Sequence, residues 1–90
     1  MTYDGTDRPV APVALDTLPD GAHARLVTVS GGPGLRSRLA AMGLRTGVAI
    51  RVVHNGGRGP FVVAAGEARI VLGRGMARKV LVVPNGSGEA

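Results

Sequence analysis

Apolar side chains recur at every second position in three runs, Val48-Ala49-Ile50-Arg51-Val52, Phe61-Val62-Val63-Ala64-Ala65 and Ile70-Val71-Leu72, with glycines punctuating the segments between them. A period of two places alternate residues on one face, which is the pattern of a strand with one side buried. Runs this short cannot bury that face alone, so they must pair and close on a shared core. A chain of 90 residues has room for one such core, with a net stability of about 3–5 kcal/mol and little volume left for an enclosed active site.

Five strands are expected along the chain. A first strand spans His23 to Ser30, with Leu26 and Val29 as its core contributors, and a second spans Val48 to His54, with Val48, Ile50 and Val52 inward. A third, Pro60 to Ala65, sets Phe61, Val63 and Ala65 on one face. Gly66-Glu67 is a Gly-X connection suited to a tight hairpin, leading to a fourth strand at Ala68 to Leu72 with Ile70 and Leu72 inward. Gly73 to Arg78 reads as a helical turn, and Val80 and Val82 mark a last strand at Lys79 to Val83. Ahead of these, Leu15 and Leu18 anchor a turn completed by Pro19, Asp20 and Gly21.

One segment follows a helical period instead. At 100° per residue Leu35, Leu39 and Met42 form a narrow apolar stripe, with Arg36 and Arg38 on either side. Gly32 suits the N-cap and Pro33 the first helical position, where the missing N–H costs nothing. Gly43 suits a left-handed C′ residue, and Leu44 is then the residue that packs back on the helix, as a Schellman stop requires. The elements together make a mainly β protein: a small SH3-like, five-stranded, half-open barrel with one short α-helix after the first strand and a helical turn before the last. The organisation expected is a flexible N-terminal tail at 1–13, a domain at 14–84 and a flexible C-terminal tail at 85–90.

Charge restricts the partners. The chain carries a formal +5, and between Ala14 and Pro84 ten basic residues face three acids, Asp16, Asp20 and Glu67, for a local +7. Such a domain suits an anionic partner. Nucleic acid is one candidate, with Arg69, Arg74, Arg78 and Lys79 near one end of the barrel to follow phosphates. The single Phe is in a core phase and the single Tyr in the tail, which leaves no platform for stacking bases and no aromatic wall for a proline-rich peptide. The absence of cysteine fits a reducing cytoplasm and excludes disulfides and thiolate metal sites. No apolar run approaches the ~18 residues of a membrane span.

Catalytic and cofactor chemistry finds no constellation. The only histidines are His23, at the start of the first strand, and His54, in phase with the inward residues of the second; His54 reads as a strand-end residue rather than a metal ligand, since no carboxylate stands at a recognisable spacing. Gly31-Gly32-Pro33-Gly34 precedes a helix N-terminus, but no Lys-Ser/Thr follows to make a phosphate loop. The glycines serve the turn and the cap.

The order of these features resembles the FeoA family, small cytoplasmic SH3-like proteins that accompany the FeoB ferrous-iron transporter of bacteria. Leu15-Asp16-Thr17-Leu18-Pro19-Asp20-Gly21 looks like the family's opening, Arg38-Leu39-Ala40-Ala41-Met42-Gly43-Leu44-Arg45-Thr46-Gly47 like its central hallmark, and Gly59-Pro60, Ile70, Leu72, Ala77, Val80 and Val82 like its close. The sequence departs from the family at Thr46, where proline is usual, and at Gly73-Arg74-Gly75-Met76, where a more polar or acidic turn is usual. The resemblance implies a non-enzymatic accessory of ferrous-iron uptake and transition-metal handling, cytoplasmic and recruited to the inner face of the membrane by its partner. It implies no cofactor, no metal ligand of its own and no small-molecule substrate. With the charge placement, it designates Arg36, Arg38 and Arg45 as contacts for the GTPase region of a FeoB-type transporter, joined by Leu44 if its side chain is partly exposed. Phe61 to Ala65 is read as a candidate edge strand, open to pairing with a second copy.

Overall fold

In the computed structural model, residues 11–56 and 59–84 are described. The chain runs β1 (Val13–Ala14), a 3₁₀ turn (Leu15–Thr17), β2 (His23–Val29), α1 (Pro33–Ala41), β3 (Ala49–His54), β4 (Phe61–Ala65), β5 (Ala68–Leu72), α2 (Arg74–Lys79) and β6 (Val80–Pro84). The strands form one six-stranded antiparallel sheet in the order β1-β6-β2-β3-β4-β5.

Five of these strands, β2 to β6, correspond to strands expected from the sequence. The sixth, β1, does not: Val13 and Ala14 pair with Val82 and Leu81, so Val13 belongs to the sheet and not to a flexible tail. Two residues carry no readable period, and β1 owes its place to the partner strand. The expected mobility of residues 1–10 and 85–90 lies outside the described residues. The proposed edge strand also changes place. Phe61–Ala65 lies between β3 and β5, and the edges of the sheet are β1 and β5.

The core gathers Leu15, Leu18, Leu26, Val29, Leu39, Leu44, Ile50, Val52, Phe61, Val63, Ile70, Leu72, Val80 and Val82, with Ala24 and Ala77 filling the narrow places. Leu26 and Val29 both point inward although they are three apart, because the ladder to β6 passes from Leu26↔Val82 to Thr28↔Leu81 and leaves Val27 as an extra residue. This bulge shifts the phase by one. A second bulge does the same in β3, where Val52 faces Val63 but His54 faces Val62. His54 is thereby turned out of the inward phase and its side chain is 48% exposed.

Candidate partner-docking site

Helix α1 begins as its sequence dictates, with Gly32 as N-cap and Pro33 in the first turn. Its end is a Schellman motif: Leu44 N–H donates to Leu39 O at 2.9 Å and Gly43 N–H to Ala40 O at 3.0 Å, with Gly43 at φ +103°. The chain leaves the helix at Met42, whose φ of −88° and ψ of −2° begin the turn, and its side chain swings out to 41% exposure. Met42 therefore does not continue the stripe of Leu35 and Leu39. Leu44 takes the inward place below it, only 1% exposed. Its conditional role as a contact residue falls away: a side chain so enclosed cannot meet a partner without unfolding the turn.

The turn after Leu44 is fastened to β2. Val48 N–H donates to Arg45 O at 3.0 Å and Gly47, at φ +91°, donates to Leu26 O at 2.7 Å. Thr46 Oγ1 donates to Val27 O at 3.2 Å, and Arg25 Nη1 donates to Gly47 O at 2.8 Å. Between this turn, α1 and β2 lies an open cleft of about 330 Å³, lined by Leu26, Thr28, Val29, Arg36, Ala40, Leu44, Arg45 and Thr46. Its floor is aliphatic, its flanks carry two threonine hydroxyls, and among the described residues Arg36 and Arg45 are its only charges. Arg38 is exposed on the helix but lies outside the lining. The fold brings two of the three sequence-selected arginines to one depression and holds the third apart from it.

The acids lie elsewhere. Asp20 accepts from Asn55 N–H at 2.6 Å and stands 4.0 Å from His54 Nδ1, and Asp16 stands 3.7 Å from Arg78 Nε. The carboxylate beside His54 comes from the distant turn at Asp20, which no local spacing reveals. His23 is exposed opposite Arg51, and among the described residues no group of three or more His, Asp or Glu side chains could hold a metal ion.

A polar junction at this end of the barrel was invisible in the sequence. Asn55 Nδ2 donates to Leu18 O at 2.6 Å and to Asp16 O at 3.1 Å, while its Oδ1 accepts from Arg74 Nη1 at 2.6 Å. Arg74 also donates to Gly59 O at 3.3 Å and lies 5.8 Å over the Phe61 ring. Arg74 is thus committed to the interior junction, and Arg78 to Asp16. Of the four basic residues considered for a phosphate track, Arg69 and Lys79 alone have no such partner among the described residues.

A family model described as the FeoA domain matches residues 13–84. The chain belongs to the FeoA family. It is 30% identical over 63 residues to the "Putative Fe(2+) transport protein A" of Methanocaldococcus jannaschii, a match covering 70% of this chain and 76% of that one. It is also similar to the crystal structure of an iron uptake regulatory protein (FeoA), with a TM-score of 0.75 and 32% identity, over 81% of this chain and 97% of the other. A manganese-dependent transcriptional repressor shares the fold at a TM-score of 0.75 and 24% identity, over 91% of this chain but 46% of the repressor. The FeoA proteins share this SH3-like barrel, and the match begins at Val13, where β1 begins. Among the described residues no helix is long and apolar enough to cross a membrane.

Proposed function

We infer that this FeoA-family protein is a non-enzymatic, cytoplasmic accessory of ferrous-iron uptake that acts by docking on the GTPase region of a FeoB-type transporter. The observation that carries the reading is the cleft beside α1, with an aliphatic floor, two exposed arginines and, among the described residues, no acid in its lining. Such a depression suits an apolar side chain with a carboxylate next to it, since guanidinium pairs bidentately with carboxylate. The Schellman latch and the Thr46 and Gly47 bonds hold Arg45 in place before any partner arrives, which lowers the ordering cost of association. The transporter contact comes from the family resemblance and the charge placement together.

The test is charge reversal at the cleft. R36E/R45E weakens binding to the isolated GTPase region by tenfold or more on the measured Kd scale, corresponding to about 1.4 kcal/mol, while thermal unfolding stays as in the parent. R38E, outside the lining, has the smaller effect. Unaltered binding by the folded double variant would sink the docking assignment.

A further inference from the structure

The sheet carries a second basic surface on its outer face. Strand pairing sets His23 opposite Arg51, Arg51 opposite Ala64, and Ala64 opposite Arg69. One lateral row across four strands therefore reads His-Arg-Ala-Arg. With neighbouring strands about 4.8 Å apart, the Arg51 and Arg69 backbones stand roughly 10 Å from each other, with only a methyl group between. Arg25 rises from the same face of β2, two positions on from His23. These four side chains are exposed, whereas the alternating residues Ala24, Ile50, Val52 and Ile70 lie in the core.

Arg51 and Arg69 have no carboxylate partner among the described residues. The rest of the face is mainly small and aliphatic, built from Ala49, Ala64, Val62 and Val71, of which Val71 is 61% exposed, with His54 beside Val62 at its margin, 4.0 Å from Asp20. The guanidinium groups of Arg51 and Arg69, with that of Arg25 beside them donating through Nη1 to Gly47 O at 2.8 Å, suit phosphate spread over an extended surface. Among the described residues the face holds no Phe, Tyr or Trp ring to stack a base, only the His23 and His54 imidazoles, and no side-chain amide to read a base edge, and no helix rises from it to enter a groove. A bilayer of anionic lipid makes none of those demands. Helix α1 packs through Leu35 and Leu39 on the opposite, core side of the sheet, so the outer face can be covered while the cleft stays open.

We propose that the outer face of β2 to β5 is a membrane-apposition surface that binds anionic lipid headgroups through Arg25, Arg51 and Arg69. The choice of a membrane among polyanions rests on the transporter reading. The binding itself requires no transporter.

The experiment is co-sedimentation of the full chain with vesicles of phosphatidylcholine, with and without phosphatidylglycerol. Binding is expected to the anionic vesicles at low salt and to disappear near 1 M salt, where the screening length falls to about 3 Å. R51Q/R69Q, which removes two side chains without internal partners, is expected to lower the partition coefficient about thirtyfold, a factor of about five per basic residue at an anionic surface. R36Q/R45Q is expected to bind vesicles as the parent does. The proposal is overturned by absent or equal binding to the two vesicle types, by an unaffected R51Q/R69Q, by a comparable loss in R36Q/R45Q, or by tighter binding to duplex DNA than to anionic vesicles at the same salt. Because no transporter is present, failure here leaves the docking reading standing, and failure of docking leaves the vesicle result standing.

Discussion

Two glycines of the α1 region should respond in opposite directions to the same substitution. Gly43 and Gly34 are alike in one respect, since a Cβ added at either would meet no atom within 4 Å. They differ in backbone: Gly43 closes the Schellman motif at φ +103°, while Gly34 lies within α1. Gly43→Ala therefore measures conformational strain without collision, at about 1–3 kcal/mol for a side-chain-bearing residue held in that region. Gly34→Ala measures the helical preference of alanine, stabilising by about 0.5–1 kcal/mol through the smaller backbone entropy of the unfolded chain. In a domain of this size each kcal/mol moves Tm by about 4–8 °C. Circular dichroism melts should then show Gly43→Ala lower by about 10 °C and Gly34→Ala higher by about 4 °C, with Gly43→Asn losing less than Gly43→Ala because asparagine tolerates positive φ. A neutral Gly43→Ala, or two equal losses, would refute the assignment of the helix stop to backbone conformation. The same strain loosens the latch that holds Leu44 inward and Arg45 at the cleft, so Gly43→Ala should also weaken partner binding at temperatures where it remains folded.

Leu44→Ala removes most of a side chain from the core and should cost about 2–5 kcal/mol in a urea titration, comparable with the whole stability of about 3–5 kcal/mol expected for so small a domain; a loss below about 1 kcal/mol would show that the residue is not enclosed. Asn55→Ala deletes three side-chain hydrogen bonds joining the Leu15–Leu18 turn to Arg74 and should cost about 2 kcal/mol, measured in the same way. Arg78→Gln, by contrast, breaks an ion pair whose arginine side chain is 70% exposed, and its unfolding midpoint should stay within about 0.5 kcal/mol of the parent.

The legibility of this protein in its sequence follows the range of the interactions. Local rules were readable: the Gly32-Pro33 start of α1, the Gly43-Leu44 stop, the Gly66-Glu67 hairpin at φ +64° and the phase of Phe61, Val63, Ile70 and Leu72 each depend on residues within a few positions of one another. What could not be read depends on distant partners. β1 exists because β6 offers it an edge, and the Asn55 junction joins groups 15 to 39 residues apart. A period of two carried across Val53 predicts His54 inward, but the pairing with β4 skips a residue there.

The other bulge links the fold to the proposed docking site. In an unbroken β2 the phase of Ala24 and Leu26 would carry Thr28 inward and Val29 out. The extra residue at Val27 instead returns Val29 to the core and leaves Thr28 to line the cleft. A bulged residue is released from the regular ladder, and the Val27 carbonyl accepts from Thr46 Oγ1 while Leu26 O accepts from Gly47 N–H. Those two bonds draw the turn that carries Arg45 against β2, so that Arg45 and Arg36 line one depression. The separation of the arginines in sequence is thus closed by one irregular residue in a strand that contains neither of them, and periodicity cannot predict a residue whose effect is to break it.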